Sequence, residues 1–235
     1  MTISRTQDDA GIATLVMDDG KVNAFDLTFF TQLDAAFDDC ADATAVVLAG
    51  RPGMFSAGLN MKVMAALDDD GMVELLTRFG QTMLRVWLEP RPVVGAITGH
   101  AIAGGTILAM TCDHAVAAAG DFRWGLTETT IGFPLPAWII ALARGNVSPH
   151  RLDDLLLPGR MVGPDEAVEV GFADAVTTGN VMEQATQRAQ ELAALPLRTY
   201  AETKRRLRGA TARAALDGVE QDIRGLLGER TVPTA

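Results

Sequence analysis

Four short runs of small and branched apolar residues, at 12–17, 45–49, 92–97 and 115–119, recur along the chain with stretches of helical spacing between them. Short, nearly unbroken apolar runs bounded by turn residues read as buried strands, and strands alternating with helices imply βαβ units. The intervening helices carry their own start and stop signals. Asp26 reads as the N-cap of a helix to about residue 39, with Phe29, Phe30, Leu33, Ala36 and Phe37 on its core face. Residues 72–88 form a long amphipathic helix ended by Glu89-Pro90, and the acids at 68–70 favour its positive end. Ser148 caps a short helix through Leu157, Gly163-Pro164 opens another that stops at Gly171, and residues 181–195 and 199–227 read as amphipathic helices.

At 235 residues and 48% hydrophobic content the chain can bury a full core, and the expected organisation is a core domain over 1–178 and a C-terminal helical segment over 179–235. A net charge of -10 argues against nucleic acid as the main partner, because no basic stripe exists to displace counterions from phosphates. No apolar run approaches the roughly 20 residues of a membrane helix. The N-terminus lacks the pattern of a signal peptide, so a cytoplasmic protein with no membrane association is expected. Cys40 and Cys112 are read as reduced and structural, and His100, His114 and His150 have no partner at metal-ligand spacing, so no metal site is expected. Lys204, Arg205, Arg206 and Arg208 make the one basic cluster, read either as a solvated helix face or as a contact for ligand phosphates.

Three stretches carry chemistry. After the apolar run at 92–97, GHAIAGGTILAMTCD at 99–113 reads as a glycine turn into a helix start, where Gly104 and Gly105 leave backbone N–H groups open to a ligand. Such groups bind an anion or a developing oxyanion, although the same glycines also suit close helix–strand packing. RPGMFSAGLNMK at 51–62 is a second strand exit, able to offer another N–H to the same carbonyl oxygen. Glu128 is one carboxylate among Leu126, Thr127, Thr129, Thr130 and Ile131, either held by a structural hydrogen bond or lifted in pKa toward a useful base. A nucleophile elbow is excluded because Ser56 is misplaced between Gly53 and Gly58, and neither a dinucleotide fingerprint nor a phosphate loop has the required spacing.

With both loops and Glu128 in this order, the chain resembles the crotonase superfamily, the enoyl-CoA hydratase/isomerase family. The likeness is carried by FSAGLNMK at 55–62, GHAIAGGTILAMTCD at 99–113, GLTETTIG at 125–132 and PDEAVEVGFADAV at 164–176. The resemblance implies an α/β fold of the ClpP/crotonase-like type, a spiral of ββα repeats with a C-terminal helical trimerisation segment, and a homotrimer or dimer of trimers. It also implies an acyl-CoA thioester substrate and no cofactor, coenzyme A being part of the substrate. On the matching positions the oxyanion hole is the backbone N–H of Leu59 with that of Gly104, and Ala57, Asn60 and Met61 line the groove for the coenzyme.

Of the two catalytic glutamates of the family's hydratases, the first falls at Ile107, which handles no proton, and the second at Glu128. Having that single acid, the chain looks more like the mitochondrial-type Δ3,Δ2-enoyl-CoA isomerases than the hydratases. The implied reaction moves a proton from C2 to C4 of a 3-enoyl-CoA in fatty-acid oxidation. Hydration of a 2-enoyl-CoA is the runner-up, and a catalytically silent acyl-CoA-binding member is the non-enzymatic alternative. Asn60 stands where the family usually has aspartate, and Thr127 where hydratases usually have proline. Met64, Leu67, Phe133 and Trp138 are expected to set the depth of the acyl pocket.

Overall fold

A computed structural model describes residues 2–229. The chain begins with an antiparallel hairpin, β1 (Thr2–Gln7) and β2 (Ile12–Asp18), and then passes through β3 (Ala24–Phe25) into α1 (Leu27–Asp38). β4 (Ala45–Ala49), β5 (Gly53–Ser56) and β6 (Gly58–Leu59) follow, leading into α2 (Met61–Met64) and α3 (Asp69–Trp87). Next come β7 (Val93–Ile97), β8 (Gly99–Ile102) and α4 (Gly104–Thr111), then β9 (His114–Ala118) and β10 (Trp124–Gly125). A 3-10 turn at Glu128–Ile131 precedes α5 (Ala137–Asn146), α6 (Leu152–Leu156) and α7 (Pro164–Val170). β11 (Ala175–Thr177), α8 (Val181–Ala193) and α9 (Leu197–Glu229) complete the order.

The strands sort into a six-stranded sheet in the order β1-β2-β4-β7-β9-β11, a three-stranded sheet β10-β8-β5 and the pair β3-β6. Every pairing except β1 with β2 is parallel. Each turn of the spiral places one strand in the large sheet and the next in the small one: β4 then β5, β7 then β8, β9 then β10. Gly99 permits that step between sheets, since a Cβ there would lie 2.0 Å from the carbonyl carbon of Gly53.

The continuous apolar runs follow from burial on both faces of the large sheet. In β4, Val46 and Leu48 face the main core with Phe29, Leu33 and Phe37 of α1, while Ala45, Val47 and Ala49 face the opposite side. That side is covered by α8 through Ala185 and Ala189, whose small side chains let the helix lie close on the strands. Asp26 caps its helix as expected, accepting the Phe29 N–H at 2.8 Å, whereas the Ser148 side chain makes no cap hydrogen bond, and Asp68, one of the three acids at 68–70, accepts the N–H of Gly71 at 2.9 Å. The latter starts α3 at Asp69, so Asp69 and Asp70 lie in its first turn rather than ahead of it. Among the described residues no helix is long and apolar enough to cross a membrane.

The basic cluster divides, and neither reading covers it. Arg205 and Arg206 pair with Glu202 on the solvated face of α9. Lys204 instead turns inward, with its side chain 5% exposed, and donates to Asp113 at 2.5 Å and to the carbonyls of Glu89 at 2.6 Å and Arg91 at 2.8 Å. Arg208 holds the other Asp113 oxygen at 2.7 Å and the Trp87 carbonyl at 3.1 Å. Asp113 also accepts the Val93 N–H at 2.8 Å, so one carboxylate ties α9 to the start of β7. Asp113→Ala leaves two cations without their anion, and urea denaturation should register a loss of about 3–5 kcal/mol. Arg205→Ala, on the wet face, should stay within about 0.5 kcal/mol of wild type.

Candidate active site

The two glycine-bearing loops meet. Gly58 sits at φ +81°, and a Cβ added to it would lie 2.6 Å from the Gly104 nitrogen. No other residue type allows both the turn and the approach. Ser56 fixes this corner, its hydroxyl donating to the Asn23 carbonyl at 2.7 Å and accepting the Gly58 N–H at 3.0 Å. In the parallel ladder of β3 and β6 the Phe25 carbonyl takes the Asn60 N–H at 2.8 Å. Successive backbone groups of a strand point to opposite sides, so the Leu59 N–H faces away from β3.

Gly104 is the first residue of α4, and its N–H belongs to the set that an α-helix leaves without internal partners. The turn before it is forced: Ala103 adopts φ +50°, ψ -116°, with its N–H on the Gly125 carbonyl at 2.8 Å. A non-glycine backbone in such a region costs on the order of 1–3 kcal/mol. The Thr106 hydroxyl braces the same turn, donating to the Ala101 carbonyl at 2.5 Å and accepting the Gly125 N–H at 2.9 Å.

Leu59, Gly104 and Glu128 all line one cavity of about 180 Å³, with Ala57 and Met61 also in its wall. Asn60 is placed otherwise: its carboxamide caps α2, accepting the N–H groups of Lys62 at 3.1 Å and Val63 at 3.3 Å, and it does not line the cavity. Ile107 is fully buried one turn into α4, within the main core, and is likewise absent from the wall. Of the expected depth-setting residues, Met64, Phe133 and Trp138 line the cavity and Leu67 does not. Leu76 and Phe79, apolar positions of the 72–88 helix in the sequence, also join the wall, as do Ile102, Ile139 and Ile223. His100 lies outside it, its Nδ1 accepting the Arg123 N–H at 3.1 Å.

Glu128 is the one ionisable side chain in the wall among the described residues. It opens the 3-10 turn, and its Oε2 is buried without a hydrogen-bond partner. Burial pushes the carboxyl up to about 7, opposed weakly by a hydrogen bond from its own backbone N–H. A carboxyl poised there gains and loses a proton readily near neutral pH. With two backbone N–H groups and apolar walls in the same cavity, the arrangement can bind a carbonyl oxygen and shuttle a proton beside it.

The sequence model of the enoyl-CoA hydratase/isomerase family matches residues 7–228. The chain belongs to this family. The rat mitochondrial enoyl-CoA delta isomerase 1 is 28% identical over 224 residues, spanning 92% of this chain and 76% of that protein. The crystal structure of the human mitochondrial delta3-delta2-enoyl-CoA isomerase superposes with a TM-score of 0.93 at 26% identity, covering 97% of this chain and 92% of that one. The enoyl-CoA hydratase of Mycobacterium ulcerans Agy99 superposes with a TM-score of 0.87 at 30% identity, covering 94% and 98%. Relatives named for both reactions thus share the enoyl-CoA hydratase/isomerase fold seen here.

The raised carboxyl has a consequence for stability. The unfolded chain releases the Glu128 proton near the ordinary carboxylate value of about 4.3, whereas the folded chain holds it to about 7. Between these values the folded state binds more protons, so wild-type stability relative to Glu128→Gln falls as pH rises, by at most about 1.4 kcal/mol per pH unit. Denaturation of both proteins across that window checks the sign.

Proposed function

We propose that this enzyme isomerises a 3-enoyl-CoA to a 2-trans-enoyl-CoA, as a step of fatty-acid oxidation. The observation that carries the reading is Glu128, a single buried carboxyl in an apolar cavity whose wall holds no second acid among the described residues. Isomerisation needs one mobile acid that reaches two carbons of the substrate. Hydration needs a water held and deprotonated at C3 while C2 is protonated, work that two carboxylates share in the family's hydratases.

The thioester carbonyl oxygen rests on the N–H groups of Leu59 and Gly104. Glu128 removes a proton from C2, and the electron pair moves into the carbonyl to form an enolate. Negative charge grows on that oxygen, where each fixed donor is worth about 2.7–4 kcal/mol of barrier. The dipole of α4 adds to the stabilisation from the Gly104 side. Glu128 then returns the proton at C4, and the double bond settles between C2 and C3. No cofactor takes part beyond the coenzyme A of the substrate, and Ala57 and Met61 flank its approach to the reacting carbons.

The relatives named as hydratases favour a second reading, hydration of a 2-enoyl-CoA at the same site. The backbone donors would serve either reaction, and the difference lies in the acids. Ile107 supplies no proton acceptor, and among the described residues the cavity wall offers no second carboxyl in its place.

Glu128→Gln should keep the fold and acyl-CoA binding while the isomerisation rate drops by roughly 10²–10⁴-fold, as expected for loss of a general acid–base. An unchanged rate removes Glu128 from the chemistry. On matched substrates the wild type should isomerise a 3-enoyl-CoA about 10²-fold or more faster than it hydrates a 2-enoyl-CoA. Hydration of crotonyl-CoA at a rate equal to isomerisation would instead assign the enzyme to the hydratases.

A further inference from the structure

The C-terminal helix α9 reaches back into the cavity of its own chain. Ile223 lines that cavity and is fully buried, in a small apolar cluster with Val73 and Leu76 of α3 and with Phe133. Leu59 packs against the same cluster. Exposure separates the rim from the closed end: Met61 and Ile131 in the wall are 55% and 53% exposed, whereas Leu76, Phe133 and Ile223 are buried.

The position of Ile223 is fixed by its neighbours. Asp222 accepts the Ala137 N–H at 2.7 Å, supplying from α9 the cap that Pro136 cannot give to α5. One turn earlier, Val219 packs where a Cβ on Gly80 would come within 2.8 Å of it, against the ring of Trp138. Helix α9 is therefore held in register with α5, which brings Trp138 and Ile139 to the same cavity. The side chain at 223 is a fixed part of the wall, packed in its own apolar cluster and next in sequence to the Asp222 that is hydrogen-bonded to α5.

Resting on the enoyl-thioester reading of the cavity, we infer that Ile223 sets the upper limit of acyl chain length. An apolar cavity of about 150 Å³ takes up benzene, so the 180 Å³ here suits roughly six or seven carbon atoms. Longer chains meet Ile223 and the cluster around it. The cavity wall contributed by α9 thus acts as a gauge of substrate length, a role separate from the proton chemistry of Glu128.

Binding of saturated thioesters tests this without turnover. The full chain is titrated calorimetrically with butanoyl-, hexanoyl-, octanoyl-, decanoyl- and dodecanoyl-CoA. Wild-type affinity should rise roughly fourfold per methylene and then level off once the cavity is full. Ile223→Ala should move the plateau to longer chains, raising the preference for decanoyl- over hexanoyl-CoA by roughly 15- to 60-fold, the worth of two to three methylenes. Ile223→Val, a milder change if the alanine variant folds poorly, should raise it roughly fourfold. Arg205→Ala, on the solvated face of the same helix where it pairs with Glu202, should leave the plateau in place. Equal changes for all thioesters in both Ile223 variants, or a wild-type affinity independent of length, would overturn the inference while leaving the isomerase reading intact. A wild type that binds none of the thioesters would overturn both.

Discussion

Two backbone segments, one at the end of the first ββ unit and one at the end of the second, touch with no side chain between them. Gly58 and Gly104 make that contact, and much of the site follows from it. Close approach sets the Leu59 and Gly104 loops side by side, each with an N–H not used by its own sheet or helix. The left-handed turn at Ala103 is the local cost of aiming the start of α4 at this point, and the hydroxyls of Ser56 and Thr106 absorb the polar groups left over. Burial of these hydroxyls is what makes the corner rigid, since each has its hydrogen bonds satisfied inside the protein.

The acids of the chain show how environment assigns a role. The Asp113 side chain is 5% exposed and sits between Lys204 and Arg208, so its charge is matched and it holds helix α9 in place. Asp34 is matched in the same way by Arg78 and Arg85. Among the described residues no cation pairs with Glu128 and its Oε2 has no donor, so desolvation outweighs the hydrogen bond from its own backbone N–H and raises its pKa. Pairing converts a carboxylate into structure, and withholding a partner leaves it available for chemistry.

The strands of the large sheet were legible because burial on both faces leaves an unbroken apolar run. β1 was not, since TISRTQ is an edge strand exposed at nearly every position and carries no periodicity. The strands of the smaller sheets, two to four residues long, are too short to show a pattern, so 99–102 read as a glycine turn where β8 lies. Glu128 stood out as a charge in apolar company, and the backbone donors through glycine spacing and family likeness. From the sequence Lys204 and Arg208 read as part of a basic cluster that is either solvated or ligand-facing, because Asp113, their partner, is remote in the chain. Family likeness assigns Asn60 to ligand contact, and the structure adds the local role of capping the short helix that follows it. Ile223 reads only as one apolar position of an amphipathic helix. What it faces depends on how α9 docks against α3 and α5.

That docking bears on the order in which the molecule assembles. The large sheet joins strands that are near neighbours in the chain, β2 with β4, β4 with β7, β7 with β9, and can grow by successive short closures. Contact of Leu76 with Ile223 closes a loop spanning most of the protein, with a correspondingly greater loss of chain entropy. The sheet can therefore form before the cavity does. A chain in which α9 has not docked exposes the apolar residues that Ile223 covers, Leu76 and Phe133 among them, and that surface is prone to stick to another chain.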